Sequence, residues 1–272
     1  MSVANAVGED GERVQTSQIG PRERVVENAS LVGLSRQVAL RRELDVISNN
    51  IANMNTTGFK ADSMVFAEFL MPKARDDNFM RRDRPLSFVE DRATVSNFGG
   101  GEIQTTGDPT DLAIDGDGFF EVESDAGVRY TRNGSFKVDA TGMLVTNEGF
   151  RVMTTNGPLQ FAPNETGFTV DQEGQVATSE GVRGRLRVMR FASLMGMKKE
   201  TSTTFSATAT PTEVTSATRL IQGAVEKSNV QGIAEMSRLV EVTRSYQNLS
   251  SLLERQDELR RTSIERLADV PA

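Results

Sequence analysis

Asp108, Asp111, Asp115 and Asp117 place four carboxylates in one short stretch, the last two inside AIDGDGFF (113–120). Two kinds of chemistry use such residues. Alternating aspartates with glycine begin a calcium loop, but that loop needs an oxygen ligand at its fifth position and a glutamate at its twelfth. Phe119 stands at the fifth position. A pair of carboxylates also serves glycoside hydrolysis, where one acts as acid and the other as base or nucleophile. Nothing in the surrounding sequence marks a raised pKa or a sugar cleft. The plainer reading is a tight turn between two strands, where aspartate and glycine are the usual residues. No metal and no cofactor is expected.

The rest of the composition narrows the chemistry further. The 272 residues include no His and no Cys. That excludes a Ser-His-Asp arrangement, a cysteine nucleophile, thiolate metal sites and disulfides. The formal charge of −7 argues against a nucleic-acid partner, which needs a basic surface. Gly99-Gly100-Gly101 has no following Lys-Ser/Thr, so it reads as a flexible turn and not a phosphate loop. RRDR (81–84) reads as a solvated loop. No apolar run approaches a membrane span, so no direct membrane insertion is expected. The N-terminus, MSVANAVGEDGERV, shows neither the basic nor the apolar region of a cleaved secretory signal.

The elements that position these residues give an α+β chain: paired N- and C-terminal helices, coiled-coil-like, flanking an all-β middle domain. Residues 1–26 are polar and aperiodic and are expected to be disordered. A helix follows over 27–61, with Asn28 or Ser30 as its N-cap and Gly58 as a left-handed end. Residues 62–90, with Phe66, Phe69, Phe79 and Phe88 among mixed charges, read as a linker that packs in part. Residues 91–200 read as the β domain, with short strand patterns from about 112 to 193. Asn133-Gly134 suits a two-residue hairpin turn, and Asp139 to Gly142 a longer one. Residues 201–227 open with eleven Ser or Thr in eighteen positions, plus Pro211, and read as an extended linker. A second helix is expected over 228–268, opened by a capping box at Ser228 and Gln231.

Both helices carry an apolar stripe. Leu40, Leu44, Ile47, Ile51 and Met54 follow steps of four and three, a seam that suits a partner helix. Met236, Leu239, Val242, Tyr246, Leu249 and Leu253 make the matching stripe, which Ile264 and Leu267 extend. Leu31, Leu34 and Val38 lie on the far side of the first helix, and Leu252 and Leu259 off the stripe of the second. Each helix thus has two faces to cover. Between the apolar residues run Asn49, Asn50, Asn53 and Asn55, although asparagine is a poor interior helix residue. Asn49 and Asn53 share a side one turn apart. Their amides, donors and acceptors at once, are expected to fix register against neighbouring subunits, with the apolar residues giving affinity. The other reading is that they prepare the helix end near Gly58. The stripe residues, with Asn49, Asn50 and Asn53, form the expected assembly interface. Burial of both stripes in an intramolecular two-helix stalk is the alternative.

Several segments resemble the bacterial flagellar rod and hook proteins. VGLSRQVALRRELDVISNNIANMNTTGFKA (32–61) is similar to the N-terminal signature of that family. The likeness continues through FVEDRATVSNFGGGEIQTTGDPTDLAIDGDGFFEV and YTRNGSFKVDATGMLVTNEGFRVM, and resumes at SNVQGIAEMSRLVEVTRSYQ. It is nearest to the proximal-rod branch, with the distal-rod branch as rival. The resemblance implies a structural subunit, not an enzyme. Its terminal helices would pair into an inner domain packed against other copies and other rod proteins, with the β domain further out. It also implies export through the flagellar type III apparatus, without a cleaved signal, to a periplasmic rod that transmits torque. Family members begin just ahead of ENASLVGLSRQ, so the start is expected at Val25 or Val26. A reading from a different class is a periplasmic carbohydrate-binding or wall-cleaving β protein with a helical stalk, working through Asp115 or Asp117.

Overall fold

A computed structural model describes residues 21–70, 87–162, 165, 167–214 and 218–268. Its two long helices are α1 (Pro21–Ala52) and α2 (Gly232–Ala268). At about 1.5 Å per residue, they span roughly 48 and 55 Å. α1 begins earlier than its sequence signals suggest, and Asn28 and Ser30 lie inside it. Pro21 opens the helix because a first-turn residue needs no N–H partner and its φ is already helical. Residues 21–26, expected to be disordered, are instead the first turns of α1, and the remainder of that segment, 1–20, lies outside the described residues.

Where 62–90 reads as a linker, the chain forms strands β1 (Asp62–Leu70) and β2 (Ser87–Ser96). They pair antiparallel from Asp62↔Ser96 to Leu70↔Ser87, with a bulge after Val65. RRDR lies outside the described residues, as does the side chain of each phenylalanine in this stretch. β3 (Ile103–Thr105), β4 (Leu112–Asp115), β5 (Phe119–Ser124) and β6 (Gly127–Thr131) then lead into the main sheet. β5 and β6 lie at its centre, and the strand Phe136–Val138 lies at one edge. Leu112, Phe120, Val122, Phe136, Leu144 and Val152 fill one core. A second core is aromatic: Phe98, Phe119, Phe191 and Phe205 meet edge to face around Tyr130.

The Ser/Thr-rich segment is extended, but it is paired into the sheet and is no free connector. Thr204–Ala207 pairs with β6 and Thr212–Glu213 with Val188–Arg190. β-branched threonines fit a pleated surface, and Phe205 anchors the segment by burying completely. Arg219–Gln222 then pairs with β4, and Ala224–Glu226 with β3. The last strands therefore return to the first ones, which brings the roots of α1 and α2 together.

Local turn chemistry gave mixed results. Asp139 closes its turn as expected: its Oδ1 accepts from the N–H groups of Thr141 and Met143, and Gly142 takes φ +80°. Asn133-Gly134 is no hairpin turn. Gly134 O accepts from Leu112 N at 2.9 Å, and a Cβ at Gly134 would lie 1.6 Å from Leu112 O. The glycine permits a close crossing of two backbones. The capping box is also absent. Ser228 Oγ accepts from Val230 N, and α2 starts after Gln231, whose carbonyl accepts from Glu235 N. The polar turn ahead of Gly232 uses the serine hydroxyl locally.

Candidate functional site

The two stripes meet inside the chain. Leu40, Leu44, Ile47 and Ile51 of α1 pack against Leu239, Val242, Tyr246 and Leu249 of α2. The pairing is antiparallel. A Cβ at Gly33 would lie 2.7 Å from Leu253, Gln37 Nε2 donates to Ser250 Oγ, the Arg238 guanidinium sits 2.7 Å from Glu43, and Met54 lies beside Gly232. The stripe residues predicted to face other subunits are thus largely occupied by each other, while Met236, and Ile264 in the extension of the stripe, are left well exposed. What remains open is the second face: Leu34 and Val38 on α1, Leu252 and Leu259 on α2.

The asparagines divide into three uses. Asn50 is buried and faces no neighbour: its Oδ1 accepts from Asp62 N at 2.9 Å and its Nδ2 donates to Asp62 O at 2.8 Å. One side chain thereby satisfies both backbone groups at the start of β1. Asn53 ends the helix, with Nδ2 donating to Asn49 O and Oδ1 accepting from Thr56 Oγ1. The side chain of Asn49 is exposed, as is Asn55.

Behind the helix pair lies a joint that sequence reasoning missed. The Lys60 ammonium, fully buried, lies 2.6 Å from Glu226 Oε1 and donates to Gly99 O at 2.8 Å. Glu226 Oε1 also accepts from Gly101 N, and Oε2 faces Arg132 at 3.3 Å. Arg132 donates to Gly116 O and lies over the Phe119 ring. Burial pushes Lys60 below its ordinary pKa, and the Glu226 carboxylate opposes that shift. Burial lowers Arg132 as well, which nonetheless stays charged. Of the three glycines, Gly101 is closely confined, since a Cβ there would lie 2.0 Å from Lys227 O, whereas Gly100 has open space around it.

A second ring of bonds surrounds this core. Asn229 accepts from Ala61 N and donates to Asn97 O and Gly99 O. Lys199 bonds Asp62 at 2.8 Å and Lys60 O at 3.0 Å, above the Phe59 ring. Gly58 takes φ +66° as expected of a left-handed residue, but its N–H bonds Glu226 O and not a helix carbonyl. Thr57 Oγ1 donates to Asn133 Oδ1. The sequence offered only a faint signal: Lys60 stands between Phe59 and Ala61, and Glu226 follows Ala224-Val225.

The four aspartates do not assemble a site. Asp108 accepts from Thr110, whose hydrogen bonds hold its carboxyl below the usual range, and Asp111 accepts from Thr106 Oγ1. Asp115 pairs with Arg219 in the ladder, and the exposed Asp117 faces Arg190 at 3.5 Å. Among the described residues, no group of three or more His, Cys, Asp or Glu is placed to hold a metal ion, and no helix is long and apolar enough to cross a membrane.

A closed helix pair whose outer apolar face is exposed among the described residues, joined to a β domain by buried ion pairs, has the form of a structural subunit. Comparison with known proteins gives the family. The model for flagella basal body rod proteins matches residues 31–60, that for the flagellar hook protein FlgE/F/G D1 domain matches 113–178, and that for the flagellar basal body rod FlgEFG C-terminal region matches 221–266. The flagellar basal-body rod protein FlgF of Caulobacter vibrioides is 39% identical over 249 residues, covering 90% of this chain and 100% of that one. FlgF of Mesorhizobium japonicum is 30% identical, covering 84% and 92%, and FlgG of Bacillus subtilis 28%, covering 84% and 94%. The chain belongs to the flagellar basal-body rod protein family and is a structural subunit of the rod.

Proposed function

We propose that the chain builds the proximal, FlgF-type segment of a periplasmic rod. It assembles helically with itself and other rod proteins after type III export and helps transmit torque. The observation that carries this reading is the second apolar face. The α1–α2 seam is complete without Leu34, Val38, Leu252 and Leu259, yet these stay exposed. Apolar surface left open on a helix pair marks a protein contact. The joint at Lys60, Glu226 and Arg132 then couples that contact to the β domain, so force on one part reaches the other. The FlgF relatives at 39% and 30% identity support the proximal branch over the distal one. The test is to place Asp at Leu34 and at Leu252 in the source organism. A folded, exported subunit missing from purified basal bodies, with motility lost, is expected. Normal rods from both variants would refute the reading, and a map placing the chain next to the hook would assign it to the distal segment.

A further inference from the structure

A cleft of about 430 Å³ opens on the β domain where separate stretches of the chain converge: Pro109, residues 138–142, Phe161 and Phe168. Its size is that of a small ligand site. The two phenylalanine rings stack with centroids 4.8 Å apart and planes 27° from parallel. Phe168 is buried and Phe161 half-buried. One face of Phe161 is taken by Phe168, and the rest of its ring is offered to the cleft.

The polar lining is one-sided. The Phe161 N–H bonds Gly142 O, and the Ala162 N–H bonds Glu165. The N–H and hydroxyl groups of Thr110 bond Asp108, and those of Thr141 bond Asp139. These donors are therefore engaged within the chain. Glu165 is engaged as well, between Ala162 N, Thr178 Oγ1 and the Arg183 guanidinium. Asp139 keeps capacity: its Oδ1 serves the turn, while its Oδ2 has no partner among the described residues. Hydrogen bonds from Thr141 and Met143 also hold this carboxyl below the usual range, so it is ionised at neutral pH. Among the described residues, no Lys or Arg lines the cleft.

An open carboxylate oxygen beside an aromatic ring, with the neighbouring donors engaged, selects a cation. A sugar needs donors and acceptors alike, and an anion is repelled. A guanidinium fits best, because it is planar, stacks on aromatic rings and donates to carboxylates. One charge-assisted hydrogen bond and one ring contact hold a free guanidinium only at a Kd of about 1 mM. The group therefore has to arrive on a larger surface. We infer that this cleft receives an arginine side chain of a partner protein, its guanidinium on Asp139 Oδ2 and against the Phe161 ring. The contact belongs to the β domain and goes beyond the reading of the helices as rod-forming elements.

The first test uses the purified full chain and does not depend on the rod reading. Titration with Nα-acetyl-arginine methylamide is expected to shift the amide NMR signals of 138–142 and 161–168 saturably. The uncharged citrulline analogue is expected to bind at least tenfold more weakly. Asp139→Asn keeps an Oδ1 acceptor for the turn and should raise the Kd at least tenfold, and Phe161→Leu, which removes only the ring, about threefold. Equal binding of the two probes, no shifts at these residues, or an unchanged Kd in both folded variants would overturn the inference. The second test places a photoreactive benzophenone side chain at the exposed Val138 in the source organism. It is expected to trap a protein through a peptide beside an arginine, with the adduct lost when that arginine is changed to Gln. An adduct that survives both that change and Asp139→Asn would overturn the contact. Probe binding with no adduct would make the ligand a free cation and overturn the assignment to a partner protein.

Discussion

The Lys60 ammonium lies 2.6 Å from the Glu226 carboxylate although 166 residues separate them. The pair closes the whole β domain into a loop whose two ends lead into α1 and α2. Arg132, from the middle of that domain, meets the same carboxylate. One buried anion therefore ties together the roots of both helices and the sheet.

Removing that anion should be costly. Glu226→Gln leaves two buried cations without their charge partner, and breaking a buried ion pair on one side costs about 3–5 kcal/mol. Urea unfolding of the purified chain is expected to show a loss of that size. A loss below about 1 kcal/mol would mean that water replaces the carboxylate and that this anion does not hold the helix roots and the sheet together.

Asn50 and Asn49 are neighbours with separate fates. Asn50→Ala strands the backbone N–H and C=O of Asp62, at a cost of about 1–3 kcal/mol for a buried unsatisfied group. Asn49→Ala lies on the surface and should change stability by no more than about 0.5 kcal/mol, while impairing motility if its amide meets a neighbouring subunit. Equal stability of the two variants would count against this division.

Gly58 combines a left-handed backbone with a crowded site. A Cβ there would lie 2.2 Å from Asn133 N, and the left-handed conformation itself costs roughly 1–2 kcal/mol for a residue with a side chain. Gly58→Ala is expected to destabilise by at least about 2 kcal/mol and to raise amide exchange in 57–61 first. Unchanged exchange there would show that the loop shifts without strain.

The β domain carries a pH signature of its own. Burial raises the pKa of Glu121, with Arg187 opposing the shift and Glu213 adding to it. A carboxyl whose folded pKa lies above its unfolded value binds more protons when folded, so it favours folding increasingly as pH falls through the folded pKa toward the ordinary 4.5. Measured against Glu121→Gln, whose amide does not titrate, the wild-type chain should gain relative stability between neutral pH and that range. A stability difference that stays flat or moves the other way would show that the Arg187 pair outweighs burial.

The helices, the β middle and the turn at Asp139 were legible because each is written in local spacing. Steps of three and four make an apolar helix stripe at Leu40 to Ile51, alternation makes strands, and an aspartate four residues before Met143 can close its own turn. The outcome at Gly134 and at the Ser/Thr-rich segment was not legible. There the deciding neighbours, Leu112 and Tyr130, come from other parts of the chain. The same holds at the site. Sequence alone determined that each terminal helix has more apolar surface than one contact covers, and that no His or Cys chemistry is available. Only the tertiary structure decided that the stripes cover each other, that Asn50 turns inward to Asp62, and that Lys60 and Arg132 share the one buried carboxylate of Glu226. A side chain's periodicity is fixed by backbone geometry along the chain, whereas its partner and its dielectric surroundings are set by residues that only folding brings within reach.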